Sequence, residues 1–196
     1  SRERTFKALD FEEPDRVPID FWATRGFRQK LEAALNISYE EFLEANDIDL
    51  RYIPGPSYIG PPLRSFSDGS EEDIWGVRRK GVILREGNAE DTYKEVVQCP
   101  LASAMTVEEI KTYDHWPSPD WFDYSDIQVQ CEKVRRQERV VVFMGDRLNR
   151  IAQLKPAMYL RGAEGIFLDM SLNPENAIAM ISHIRRFYCG YAERIF

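Results

Sequence analysis

The sequence predicts an α/β fold in which a parallel sheet is covered by helices. Two observations carry this reading. Strand-like apolar runs at residues 16–22, 49–54 and 139–144 alternate with segments of helical spacing, and such alternation builds parallel sheets. The last run, Arg-Val-Val-Val-Phe-Met, also has a continuous apolar centre, as expected of a parallel strand covered on both faces.

Taken in order, residues 5–9 read as a short leading helix that stops at Glu13-Pro14-Asp15. Residues 16–22 (RVPIDFW) read as a strand, with Pro18 placing it near a strand start or on an edge. Phe27, Leu31, Ala34 and Leu35 then recur at helical spacing. Ser38 with Glu41 forms a capping box, opening a helix whose apolar face includes Phe42 and Ala45. The strand at 49–54 runs into a Gly- and Pro-rich loop at 55–62.

At about residues 72–98 the alternation is interrupted. Trp75, Val77, Val82 and Leu84 flank Lys80-Gly81, predicting a β-hairpin that turns there, with 93–97 as a third strand. Asp73 and Trp75 are read as its anchors. Thr106 with Glu109 is a second capping box, and Tyr124, Ile127, Cys131 and Val134 mark one face of an amphipathic helix. After the strand at 139–144, Leu148, Ile151 and Leu154 begin a helical segment, which Pro156 restarts or kinks. Asn173-Pro174 opens the strongest helix, with Asn at the N-cap and Pro at the first position. Its apolar positions run through Ala177, Ile181, Ile184, Tyr188, Tyr191 and Ile195.

Composition narrows the function classes. With 43% hydrophobic and 30% charged residues over 196 positions, the chain has material for one packed core. A net charge of -7 disfavours nucleic acid as partner. No apolar run approaches the roughly 20 residues that span a bilayer, and the charged N-terminus, Ser1-Arg2-Glu3-Arg4, lacks a signal peptide's apolar core. Cys99, Cys131 and Cys189 are odd in number and widely spaced, which suits buried reduced thiols in a cytoplasmic protein. His115 and His183 lie at no metal-ligand spacing, so the sequence presents no metal site. His115 is read as a turn residue and His183 as exposed.

Several segments together resemble the uroporphyrinogen decarboxylase superfamily. They are Ala8-Leu9 with Pro14-Asp15-Arg16-Val17-Pro18, then Asp73-Ile74-Trp75-Gly76-Val77, then Met144-Gly145 through Tyr159-Leu160-Arg161-Gly162, and finally Phe167-Leu168-Asp169-Met170 with Asn173-Pro174-Glu175. The resemblance covers the whole chain but only the first half of the family's usual length. It implies the N-terminal portion of a TIM (β/α)8 barrel, with the hairpin as an excursion and the ligand at the C-terminal mouth of the strands. A closed barrel needs eight strands, so either further chain or a second subunit is expected to complete it; a homo-oligomer is another possible arrangement.

The resemblance implies two chemistries. Decarboxylases of the family remove carboxylates from a tetrapyrrole without a cofactor. Their methyltransferase relatives move a methyl group between a corrinoid and a thiol using zinc, whose ligands would lie outside this chain. The family's arginine-bearing motif after the first strand corresponds here to Trp22-Ala23-Thr24-Arg25-Gly26-Phe27-Arg28, with both arginines displaced. Its pyrrole-binding aspartate would fall near Gly55-Pro56-Ser57, where no acid stands, and its tyrosine at Met158 or Tyr159. These departures argue against uroporphyrinogen itself as the substrate.

The candidate catalytic residues are Asp146 and Arg147, directly after the clearest strand, and Asp20 within the first. Asp146 has the competing role of helix cap, and Asp20 that of partner to a helix residue. Arg25 and Arg28 are candidates for gripping a carboxylate or phosphate, against a reading as a solvated helix start. Tyr159 is a candidate donor to a substrate carboxylate, or packing. The leading expectation is carboxy-lyase chemistry on an anionic or tetrapyrrole-like small molecule, without cofactor. Zinc- and corrinoid-dependent methyl transfer is the first alternative, and a non-catalytic half-barrel subunit the second.

Overall fold

In the computed structural model, residues 1–86, 89–144 and 154–196 are described, with the backbone alone at 84–86 and 89–91. The chain opens with helices α1 (Arg2–Leu9), α2 (Arg25–Leu35) and α3 (Tyr39–Ala45). Short strands β1 (Leu50–Tyr52) and β2 (Ser57–Tyr58) follow, then the hairpin sheet β3 (Glu71–Glu72), β4 (Arg78–Glu86) and β5 (Ala89–Gln98). Next come α4 (Val107–Lys111), a 3-10 turn at Pro119–Trp121, β6 (Phe122–Asp123), α5 (Ile127–Arg136) and β7 (Val140–Val142). Helices α6 (Leu154–Arg161), α7 (Ala163–Leu172) and α8 (Pro174–Ile195) complete the order. Both capping boxes are formed, at Ser38–Glu41 and Thr106–Glu109.

β1 and β7 pair in parallel, Leu50 opposite Val140 and Tyr52 opposite Val142. The ladder extends at both ends through Val140 N–H to Asp49 O and Ile53 N–H to Val142 O. β2 pairs antiparallel with β6, and β3, β4 and β5 form an antiparallel sheet. Among the described residues these sheets hold two or three strands and close no barrel.

Residues 16–22 form no strand and join no ladder among the described residues, which corrects the strand expected there. Pro18 has no N–H to give, and the Ile19 N–H goes to a side chain, Asp49 Oδ2, at 2.9 Å. Ile19 O in turn accepts from Asp49 N–H at 2.9 Å, so the segment still lies against the start of β1.

Asp49 is fully buried and gathers several donors. Arg4 Nη1 donates to its Oδ1 at 2.5 Å and Arg16 Nη1 to its Oδ2 at 2.8 Å, and the Ser1 amine also contacts Oδ1. Asp47 extends the network, accepting from Arg16 at 2.7 Å and from Arg139 at 2.7 Å. Arg51, also buried, donates to Glu40 and Glu44 of α3. Helix α3 is thereby bound to the strand pair through charge-assisted hydrogen bonds, which are stronger than neutral ones.

The hairpin does not reverse at Lys80-Gly81. β4 runs straight through, with Gly81 opposite Lys94 and Val82 opposite Tyr93. Residues 93–97 are therefore part of the hairpin's second arm, and the third strand is β3. The anchors act as read from sequence: Asp73 Oδ1 accepts from the Trp75 and Val77 amides, and Trp75 is buried. Gly76 has φ +71°, and a Cβ there would collide with the Tyr113 hydroxyl.

The main core lies under α8. Met180, Ile184, Phe187, Tyr188 and Tyr191 pack with Trp75, Val77, Ile110, Leu160 and Ile166. Gly190 lets α8 approach Pro119, whose Cγ would be 3.0 Å from an added Cβ. Asn173 occupies the N-cap of α8, but its side chain makes no capping bond. Arg161 and Asp169 form a buried pair at 2.7 Å that joins α6 to α7, with Arg161 also donating to the Leu101 and Ala102 carbonyls.

Asp49→Asn is expected to destabilise the fold by about 3 kcal/mol, because Arg4 and Arg16 lose a buried anionic partner; a urea melt with the wild-type m-value checks this. Burial alone would raise the Asp49 pKa, but its amine, amide and guanidinium donors outweigh burial and hold it at about 2. Its contribution is thus complete above the unfolded value of about 3.9 and is lost as pH falls through about 2. Comparing acid melts of wild type and Asp49→Asn tests this: the stability difference should shrink across that window.

Candidate functional site

The sequence-derived candidates fall into different places. Asp146 and Arg147 lie outside the described residues. Asp20, Arg28 and, by position, Arg25 belong to one cluster, and Tyr159 to another.

The first cluster sits where the 16–22 segment and β1 end. Pinning Ile19 to Asp49 carries Asp20 to the last residue of β1, where its Oδ2 accepts from the Tyr52 hydroxyl at 2.6 Å. Tyr39, the first residue of α3, donates its hydroxyl to Phe21 O at 2.7 Å. The Arg28 guanidinium lies over the Tyr39 ring, 4.3 Å from its centroid. Arg28 Nε donates to Ala23 O at 3.0 Å. Arg25 is exposed at the start of α2, whose N-cap Thr24 accepts from Phe27 N–H.

Electrostatics link these groups. Burial, then the hydrogen bond and charge of Asp20, push the Tyr52 phenol well above its ordinary range. Burial raises the Tyr39 phenol as well, with Arg28 opposing and Asp20 adding. Both tyrosines therefore stay protonated donors at neutral pH. A carboxylate acceptor, two phenols and a guanidinium can together bind a polar ligand. Gly55 (φ +86°), just beyond β1, is clamped by Gln130 through its N–H and C=O, and Phe143 after β7 fills the space where its Cβ would be.

Tyr159 lies instead on α6, in a cleft of about 660 Å³ beneath the hairpin. Arg79 covers its ring at 4.3 Å and Lys155 Nζ stands 5.6 Å from the centroid. No lining residue of this cleft belongs to the Asp20 cluster.

The remaining candidates take structural places. His183 is half-buried and stacked on Trp116 at 4.6 Å rather than exposed. His115 pairs with Asp114 at 2.6 Å and stacks on Tyr113. None of the thiols is buried: Cys99 and Cys131 are intermediate and Cys189 is exposed, so the expectation of buried thiols is corrected. Partial desolvation nonetheless pushes the Cys99 thiol up, away from thiolate formation. Among the described residues no group of three or more His, Cys, Asp or Glu is placed to hold a metal ion. No helix among them is long and apolar enough to cross a membrane.

Sequence reasoning passed over Tyr52, Tyr39, Arg79 and Lys155. The only local signal was Tyr52's position near the end of an expected strand, where barrel ligand groups gather. Compared with protein-family models, curated proteins and solved structures, the chain matches none.

Replacing Asp20 with Asn removes the charge that opposes Tyr52 ionisation. In an ultraviolet titration, one phenolate is then expected to form at lower pH than in wild type; identical curves would separate the two groups.

Proposed function

We propose that the chain contributes the first strand–helix units of a (β/α) barrel of uroporphyrinogen decarboxylase type, with carboxy-lyase chemistry on a carboxylate-bearing or tetrapyrrole-like small molecule. The observation that carries this reading is the convergence of Asp20, Tyr52 and Arg28 at neighbouring strand and segment ends. Parallel pairing of β1 with β7 also supports it, because strand ends on one side of a parallel sheet are where α/β ligand sites gather. The family resemblance supplies the reaction type.

In this reading Arg28, with Arg25 three residues before it on α2, grips substrate carboxylates through its guanidinium. Asp20 stabilises a protonated pyrrole while Tyr52 holds the carboxylate in place. The bond between the acetate arm and its carboxylate then breaks. Carbon dioxide leaves and the electron pair flows into the cationic ring. A proton then adds to the carbon left behind and the ring gives up the proton it had taken, so that one proton is consumed for each carbon dioxide released.

The test is release of carbon dioxide from a series of porphyrinogen carboxylates, measured with wild type and Asp20→Asn. Turnover by wild type and a loss on the order of 10²-fold in kcat for the variant are expected. Absence of decarboxylation across the series, or zinc-dependent methyl transfer from a methylcorrinoid to a thiol instead, would contradict the reading.

A further inference from the structure

The cleft between the hairpin and α6 has its own charge pattern. Its three carboxylates are each matched to a cation: Glu71 accepts from Lys94 at 2.6 Å, Glu72 from Arg64 at 2.6 Å and 2.5 Å, and Asp73 from Arg79 Nε at 2.7 Å. Lys155 lines the same cleft, half-buried, and pairs with no carboxylate among the described residues. Lys155 is thus the lining cation that has no carboxylate partner among the described residues.

The Arg79 side chain is held from behind. Asp73 is fixed by the Trp75 and Val77 amides through one oxygen and takes the Arg79 Nε with the other. The terminal guanidinium nitrogens carry no hydrogen bond among the described residues, and the guanidinium lies 4.3 Å from the Tyr159 ring centroid. A guanidinium presented in this way is preorganised for a carboxylate. Around the two cations the walls are apolar or aromatic, with Ile74, Tyr93, Phe122 and Tyr159 among them. The volume of about 660 Å³ lies in the range of roughly 300–1,000 Å³ that holds small organic ligands.

From this arrangement we infer that the hairpin cleft is a binding site for a small aromatic monocarboxylate, its carboxylate on Arg79 and Lys155 and its ring against Tyr93 and Phe122. Lys155, unpaired among the described residues, matches one carboxylate, and the aromatic walls match a flat apolar body. The site is independent of the Asp20 cluster, with which it shares no residue.

The experiment measures binding of 2-naphthoate and of its neutral analogue 2-naphthamide to the purified protein by isothermal titration calorimetry. Saturable binding of 2-naphthoate at one site is expected, at least tenfold tighter than the amide. Lys155→Met should weaken the acid at least tenfold and leave the amide unchanged, while Asp20→Asn should change neither. Equal affinity for acid and amide in the wild-type protein would overturn the proposal without recourse to any variant. No saturable binding of the acid, or unchanged acid affinity in a folded Lys155→Met protein, would overturn it as well.

Discussion

The buried carboxylate of Asp49 is the constraint on which the arrangement of the N-terminal half depends. A buried anion is tolerated only when donors surround it, and here they come from Arg4 on α1, from Arg16 and from the Ile19 amide. These groups are separated by 30 to 45 residues from Asp49 along the chain. Satisfying one carboxylate therefore brings the leading helix, the 16–22 segment and β1 together. The position of Asp20 beside Tyr52 follows from it, since both lie just beyond the pinned residues.

The two clusters use charge differently. Around Asp49 and Asp47, arginines and acids from α1, α3, β1 and the residues before β7 share partners, so the network joins elements. At the strand ends and in the hairpin cleft, by contrast, Arg28 and Arg79 each donate through Nε to one acceptor and rest against a tyrosine ring. Fixing a guanidinium at its Nε lowers the ordering cost of binding an anion. The same device occurs on a helix near its N-terminus and on a strand.

Features governed by local rules were legible in the sequence. The capping boxes at Ser38 and Thr106 need only two residues three positions apart, and both form. The Asp73–Trp75 anchor and the Pro174 helix start are equally local. The hairpin reversal was misplaced because Gly81 was read as a turn residue, whereas it sits inside a strand opposite Lys94; glycine weakens a strand without ending it. The 16–22 segment has the composition of a strand, but its decisive donor, the Ile19 amide, is taken by a side chain 30 residues away. The Asp20–Tyr52 contact spans 32 residues and depends on the same tertiary event. Arg79 and Lys155 carried no motif at all, and only the meeting of the hairpin with α6 makes them neighbours.

The most direct measurement is hydrogen exchange at the Ile19 amide. If Asp49 holds the segment in place, this amide exchanges as slowly as those of β1, and it becomes fast in Asp49→Asn while the α8 amides stay protected. An Ile19 amide that already exchanges at the rate of an open loop in wild type would show that nothing fixes Asp20 at the strand end.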